Sequence, residues 1–395
     1  MQFKLFCGFL LSFNLAFGQG LEITRIDGTR ISTHAIDSTV VHLMAAAKVS
    51  GLGLAIINHN RVVYEKTYGY KNIELGELLD TSTVLYGASL SKAVFTYLCL
   101  GLVQQGVLDL DKPLYQYLDK PLPEYPKYSD LAGDDRWKLI TARMCLSHTT
   151  GFANWRFLAA TTGKYDPTGK LVIYFTPGSQ FAYSGEGYAL LQMVIEKITG
   201  KDLEELAVNS IFQPIGMDRT SYIWQDRFET KYALGYDNDG KPLEKKKRKT
   251  PGAAGSMETT LADYAKFIQW IMQKKGLNRE MYNIMLTPGV GIYSKVMFPT
   301  IGSDSTMENQ GIGLSTGLGW GFLHTPYGKA FFKGGHDDGW EHYNINFPDK
   351  GTSLLLMTNS SNGESIFKEL LEKLIGDTFT PWKWANYIPY KQNPL

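Results

Sequence analysis

The strand signals of this 395-residue sequence lie near its two ends, and helical signals lie between them. Residues 51–70 form two apolar and aromatic stretches around a turn signal at 58–60, which predicts a hairpin. Near the other end, three further strands are predicted over 329–333, 340–347 and 352–358. This order predicts one sheet that both ends of the chain build together, with a helical region inserted between them.

Helices are predicted where apolar residues recur at helical spacing. Four such segments stand out, at 89–105, 186–199, 260–275 and 364–374. The predicted fold class is therefore α+β, an α/β sandwich with an antiparallel sheet, flanking helices and a helical insert. The predicted parts are a sheet domain over 22–112 and 251–376, a helical insert over 113–250, and an aromatic C-terminal extension over 377–395 that folds back on the surface.

The first 18 residues have the pattern of a secretory signal peptide. Lys4 precedes a short apolar run over 5–13, and the small residues Ala16 and Gly18 supply a cleavage site. The run is shorter than the ~20 residues of a transmembrane helix; a buried N-terminal helix is the alternative. We therefore expect export to the periplasm or the exterior after cleavage near Gly18, with no stable membrane anchor.

Charge and cysteine content exclude several classes of protein. Lys and Arg total 40 against 39 Asp and Glu, so the net charge of +1 gives no field that would attract nucleic acid. Cleavage of the signal peptide leaves Cys99 and Cys145, which we expect to be buried free thiols. The basic run 245–249 is interpreted as a solvated loop.

Two serines lie in patterns that are typical of nucleophiles. Ser315 lies in GLSTG, which matches the GxSxG elbow by letters, but the glycine-rich flanks leave no room for the helix that must follow. Ser89 precedes Lys92 by three positions at the start of a predicted helix, so the hydroxyl and the amine share one helix face. A lysine in a dry cleft has a lowered pKa and can accept the serine proton. A helix-capping serine with a solvated lysine is the alternative.

Two further stretches favour the Ser89 site. Tyr183 lies in FAYSGEGY just before a predicted helix, and Lys333 ends a predicted strand in FFKGGH. With these motifs the chain resembles the serine β-lactamases and penicillin-binding proteins, which implies their β-lactamase/transpeptidase-like fold. It is most similar to class C β-lactamases, family VIII esterases and D-aminopeptidase-like hydrolases, over roughly residues 50 to 375. Framework stretches in the family's order are VLDLDKP (107–113), LSHTTG (146–151), PGSQFAYS (177–184), ITGKDL (198–203), IFQPIGMDRT (211–220) and GLGWGF (317–322).

The resemblance implies a role for each motif residue. Ser89 would be the acylated nucleophile, Lys92 its hydrogen-bonded partner, and Tyr183 the general base or acid. Tyr183 can serve near neutral pH only if the two lysines stabilise its anion. Lys333 would tune Tyr183 and attract a substrate carboxylate, and the backbone N–H groups of Ser89 and His336 would form the oxyanion hole. No cofactor is implied.

The sequence also departs from the family pattern. Where β-lactamases have Tyr, any residue and Asn, this chain has Gly185 in place of the amide that would bind an acylamino side chain. The third motif has Gly334 instead of a hydroxyl residue, which removes a carboxylate contact. The following Gly335 is expected to let substrate approach the backbone. These departures favour an esterase, amidase or peptidase over a β-lactamase.

Several nearby residues have two interpretations. Trp340 is predicted to line the cleft, with packing as the alternative, and His148 is interpreted as a buried hydrogen-bonding histidine. Asp338 or Glu341 could bind a substrate ammonium, with solvent exposure as the alternative. A metal bound by His336, Asp337, Asp338 and His342 is disfavoured, because no second ligand set accompanies them.

We therefore predict an exported, monomeric serine hydrolase that forms an acyl-enzyme on Ser89 with a small ester, amide or peptide substrate. A true β-lactamase or D-Ala-D-Ala carboxypeptidase is the alternative within the class. A catalytically silent binding protein is the alternative from another class.

Overall fold

The computed structural model describes residues 22–392. The predicted signal peptide lies outside the described residues. The α-helices of this part of the chain are α1 (Thr33–Ala47), α2 (Ser91–Gln104), α3 (Ala142–Leu146), α4 (Gly185–Thr199), α5 (Leu203–Ala207), α6 (Gln213–Ile215), α7 (Leu261–Met272), α8 (Arg279–Met285) and α9 (Phe367–Ile375). The strands are β1 (Glu22–Thr24), β2 (Arg30–Ser32), β3 (Gly51–Asn58), β4 (Arg61–Asn72), β5 (Glu77–Leu78), β6 (Leu85–Tyr86), β7 (Gly235–Tyr236), β8 (Pro242–Leu243), β9 (Glu258–Thr259), β10 (Ser315–Thr316), β11 (Gly321–Thr325), β12 (Gly328–Asp337), β13 (Trp340–Phe347) and β14 (Thr352–Thr358).

One antiparallel sheet of eight strands forms the centre of the molecule, in the order β10-β11-β12-β13-β14-β3-β4-β5. Its two halves join where β14 pairs with β3, for example at Leu354 with Ile56 and at Met357 with Gly53. This pairing confirms that both ends of the chain build the sheet. All eight strands lie outside 113–250. The predicted domain boundaries themselves stay a prediction.

Both faces of the sheet are covered by apolar side chains. Alternate residues of β13 point to opposite faces, as strand geometry requires, so that Tyr343 and Ile345 pack with the residues of α1 and α9. Trp340 packs on the other face, with the residues of α2 and α7. β13 is buried along its whole length, and from His342 to Phe347 its polar and apolar residues alternate, with the apolar ones on the α1 and α9 face.

The predicted core elements are present, with small shifts of their ends. The hairpin of β3 and β4, the helices α2, α4, α7 and α9, and the strands β13 and β14 form where the sequence predicts them. The helix α1 was not predicted, although its signals are readable. Ser32 caps it by accepting a hydrogen bond from Ala35 N, and Ile36, Val40 and Leu43 recur on its buried face.

The C-terminal extension is part of the core, so the prediction that it folds back on the surface is wrong. Trp382 and Trp384 are buried against the α1 and α9 face of the sheet. The Trp384 ring centroid lies 6.2 Å from that of Phe332 on β12, and Trp382 lies 5.3 Å from Tyr343 on β13. Burying two tryptophan rings stabilises the folded chain, which explains why this terminal segment packs into the core.

The interpretation of the basic run 245–249 as a solvated loop is wrong at its first residue, Lys245. The Lys245 side chain is 4% exposed, and its Nζ lies 2.7 Å from the buried carboxylate of Glu258. Its ammonium also lies 4.7 Å from the centroid of the Trp340 ring. A buried carboxylate and two aromatic faces thus replace water around this charge.

Two smaller predictions are confirmed by the structure. Cys99 and Cys145 are buried and free, and burial raises the pKa of both thiols. Ser315 lies in β10 and pairs with Phe322, so no helix follows it as an elbow would need. Among residues 22–392, no helix is both long and apolar enough to cross a bilayer.

Candidate active site

Ser89 lies in the 3-10 turn Ala88–Leu90, which leads directly into α2. Ala88 adopts a φ of 44°, in the left-handed region that an alanine enters only at a cost in backbone energy. The turn packs on β12, where a Cβ at Gly335 would lie 3.0 Å from Gly87 O and 3.3 Å from Leu90 Cγ. The glycine was expected to admit substrate, but its visible role is to let the strand approach the serine turn closely.

Lys92 lies one helical turn after Ser89 and holds its amine against the serine. Its Nζ lies 3.0 Å from Ser89 Oγ and 2.6 Å from the backbone oxygen of Ala254. The side chain is only 2% exposed. Burial lowers the pKa of Lys92 well below its ordinary value, and the nearby Lys333 charge lowers it further. A neutral amine so close to a hydroxyl can accept its proton.

Tyr183 completes the cluster from the loop before α4. Lys92 Nζ lies 5.0 Å from its ring centroid and Lys333 Nζ lies 5.2 Å from it. Lys333 is buried on β12, which lowers its pKa to about 7. The structure thus brings together the four motif residues that the sequence predicted as catalytic.

Tyr183 was expected to be a general base or acid, and its surroundings favour a neutral phenol over a phenolate. Burial raises the pKa of Tyr183 to about 12, and its hydrogen bond with Ser89 only partly opposes this rise. The two lysines themselves have lowered pKa values, so they offer less positive charge to a phenolate. The geometry therefore favours a neutral Lys92 as the base and a neutral Tyr183 as a proton donor.

His148 packs against the ring of Tyr183. The two ring centroids lie 4.5 Å apart, and His148 Nδ1 accepts a hydrogen bond from Ser184 N at 3.1 Å. Burial lowers the pKa of His148 well below its ordinary value. These observations agree with the interpretation of His148 as a buried hydrogen-bonding residue.

The segment 154–156, which sequence reasoning missed, lies against the start of α4. The indole of Trp155 fills the space where a side chain at Gly185 would begin, 2.4 Å from that Cβ position. Trp155, Asn154 and Tyr183 also line a small cavity beside the site. The signal for this segment was its position two residues beyond the framework stretch LSHTTG.

Trp340 does not line the cleft, and the packing alternative is correct. The ring is 6% exposed and meets Tyr86 edge-on at 6.3 Å between centroids. Lys245 and the backbone of Gly235 cover it further.

Lys333 and His336 are three positions apart on β12. Because successive strand residues alternate between the two faces, the two side chains point to opposite faces of the sheet. His336 pairs across the sheet with Glu341, with its Nδ1 at 3.5 Å from Glu341 Oε1. Glu341 is buried and accepts a hydrogen bond from Glu364 N, so it is not available to a substrate ammonium.

The far face of the sheet thus carries a possible cation site that differs from the one considered above. Ligand atoms of His336, Glu341 and Glu364 lie within 4.8 Å of one another. His342 is not part of this group, since its ring binds Tyr86 O and Thr358 N. Burial raises the pKa values of Glu341 and Glu364, and the Glu364 charge raises that of Glu341 further, so the pair can hold a proton in place of a cation.

Comparisons with known proteins agree with this geometry. A family model described as Beta-lactamase matches residues 36–375. A Beta-lactamase of Pseudomonas fluorescens is 25% identical over 302 residues, which make up 74% of this chain and 74% of that protein. The structure of EstCE1, a hydrolase with promiscuous acyltransferase activity, matches with a TM-score of 0.70 at 18% identity and covers 87% of this chain and 97% of that chain. D-alanine carboxypeptidase AmpC from Burkholderia cenocepacia matches with a TM-score of 0.65 at 19% identity, over 85% and 97% of the two chains. The β-lactamase/transpeptidase-like fold is thereby confirmed.

Proposed function

The chain belongs to the Beta-lactamase family of serine hydrolases, and we propose that it hydrolyses small esters or amides through an acyl-enzyme on Ser89. The observation that carries this proposal is the buried contact of 3.0 Å between Lys92 Nζ and Ser89 Oγ. Burying an amine costs free energy, and a serine that only capped the helix would not offset this cost.

Acylation starts with transfer of the Ser89 hydroxyl proton to the neutral Lys92. Ser89 Oγ then attacks the substrate carbonyl carbon, and the carbonyl oxygen takes up the negative charge. The backbone N–H groups of Ser89 and His336 are proposed to stabilise that oxygen in the transition state. The bond to the leaving alcohol or amine breaks as Lys92, through Tyr183, returns the proton to it.

Deacylation repeats these steps with water. A water molecule gives its proton to the Tyr183 and Lys92 pair and attacks the acyl carbon. The Ser89 oxygen leaves and recovers a proton, and the carboxylic acid departs. The same residues thus serve as base and then as acid in each half of the cycle.

Esters and amides without a β-lactam ring are favoured because Gly185 provides no amide for an acylamino group. A β-lactamase or D-alanine carboxypeptidase activity is the second candidate, supported by the similarity of the chain to one protein of each kind. A silent binding protein is the third, although Ser89, Lys92, Tyr183 and Lys333 are all present and assembled.

A substrate panel separates these candidates. We expect hydrolysis of p-nitrophenyl esters or D-amino acid amides to exceed that of nitrocefin, and to be lost in Ser89→Ala. Ser315→Ala is the matched control, because this buried serine has the letters of an elbow without its geometry. Equal activity of Ser89→Ala and wild type would contradict the proposal, and a predominance of nitrocefin would favour the second candidate.

We also propose that the protein is exported, on the pattern of its first 18 residues. The N-terminal sequence of the protein isolated from its host is expected to begin near Gln19. A mature protein that retains residues 1–18 would contradict this.

A further inference from the structure

Gly185 is a glycine because of its neighbour and not because of its backbone. Its φ is not among the positive values found in the described chain, so any residue could adopt its conformation. However, a Cβ there would lie 2.4 Å from Trp155 Cζ2, 2.6 Å from Cε2 and 2.8 Å from Cη2. The indole therefore occupies the space that the Cβ of any other residue at position 185 would need.

The Trp155 backbone is fixed in place from both sides. On one side, Asn154 O accepts hydrogen bonds from Gly185 N at 2.9 Å and from Glu186 N at 3.0 Å. On the other side, Arg156 binds the buried Glu186 carboxylate with two parallel bonds of 2.9 Å, from Nε and Nη2. Paired bonds of this kind set orientation as well as energy. Trp155 is thus held against the N-terminus of α4 by its two neighbours in the chain.

The cavity beside Tyr183 is small, and most of the residues that line it are apolar. Its volume is about 10 Å³, which is near the minimum that holds one water molecule. Its lining comes from two stretches, Ala153 to Ala160 and Phe298 to Ile301, which meet over Tyr183. The second stretch is tied to the site by a hydrogen bond of 3.2 Å from Tyr183 N to Thr300 Oγ1.

We infer that Trp155 determines the acyl specificity of this site by replacing a polar side chain at position 185 with an apolar wall. The substrates it selects are esters of short, unsubstituted carboxylic acids. Acyl groups with an acylamino substituent are rejected, because the indole and the narrow cavity beside Tyr183 leave no room for the substituent. This inference rests on the proposed acyl-enzyme function and names its substrate class.

The test compares kcat/KM for p-nitrophenyl acetate and p-nitrophenyl octanoate in wild type, Trp155→Phe and Trp155→Ala. The octanoate-to-acetate ratio is expected to rise by about tenfold or more in Trp155→Ala, and by less in Trp155→Phe, since removed ring atoms give space to methylene groups. Phe157→Ala is the control, because Phe157 stacks on Trp155 at 5.7 Å but does not line the cavity. An unchanged ratio in both Trp155 variants would overturn the inference.

A rescue experiment tests the steric argument directly. Gly185→Asn is expected to lose most esterase activity, and the double variant Gly185→Asn with Trp155→Ala is expected to recover it at least in part. Full activity of Gly185→Asn alone, or acylation of wild type by benzylpenicillin in an intact-mass measurement, would overturn the inference and leave the proposed function standing. If wild type hydrolyses none of these esters and takes no fluorophosphonate adduct, the proposed function fails and the inference fails with it.

Discussion

The buried lysines of the site make the free energy of unfolding depend on pH. Lys333 has a pKa of about 7 in the folded chain, against ~10.4 for an unfolded lysine. Between these values the unfolded chain binds a proton that the folded chain does not, so stability rises with pH. Below about pH 7 both states are protonated and this contribution has no further pH dependence.

Replacing Lys333 by methionine is expected to remove that slope. From pH 7 to pH 9, the free energy of unfolding of wild type should rise relative to Lys333→Met by up to ~1.4 kcal/mol per pH unit. Urea unfolding at pH 7, 8 and 9 measures it. Parallel pH profiles for the two proteins would contradict the lowered pKa.

The buried carboxyl pair on the far face gives the opposite pH dependence of stability. Glu341 and Glu364 have raised pKa values, about 7 for Glu364. Above the unfolded value of ~4.3 the folded state retains protons that the unfolded state releases, so stability falls as pH rises. Glu341→Gln, whose amide oxygen can still accept from Glu364 N, is expected to gain stability relative to wild type between pH 5 and pH 8. Thermal unfolding across that range measures this, and a constant difference would contradict it.

At the scale of elements, the start of α4 depends on one ion pair from the preceding loop. Glu186 is buried and its carboxylate is bound by Arg156. Arg156→Met leaves that charge without its partner, which is expected to cost about 3–5 kcal/mol of unfolding free energy. The matched control is Arg143→Met, because Arg143 makes a similar fork with an exposed Asp111 and is expected to cost about 0–1 kcal/mol. Equal losses in urea unfolding would contradict the role given to burial.

Sequence patterns predicted elements well where the turn or capping residues are explicit. The hairpin at 51–70 and the helix that ends before Gly200 formed as expected. The Ser89 and Lys92 spacing predicted their contact because a helical turn fixes it. By contrast, Trp155 meets Gly185 across 30 positions, and local periodicity carries no information about such a contact. Lys245 was missed for the same reason, since its partner Glu258 and its aromatic neighbours come from other segments.

At the scale of the whole molecule, the C-terminal segment completes the core on the α1 and α9 face of the sheet. Trp384 lies 6.2 Å from Phe332 on β12 and 6.3 Å from Phe181, two residues before Tyr183. Trp384→Ala is expected to cost about 3–5 kcal/mol of unfolding free energy, as aromatic truncations in cores do. Ile388→Ala, at an exposed position of the same segment, is expected to change it by less than about 0.5 kcal/mol. Equal small effects would show that this segment does not contribute to the core.

The central claim is that Ser89 is the residue that becomes acylated. Intact mass after treatment with a fluorophosphonate tests it most directly, with wild type, Ser89→Ala and Ser315→Ala in parallel. One covalent adduct is expected on wild type and on Ser315→Ala, and none on Ser89→Ala. An adduct that survives in Ser89→Ala, or its absence from folded wild type, would contradict the account.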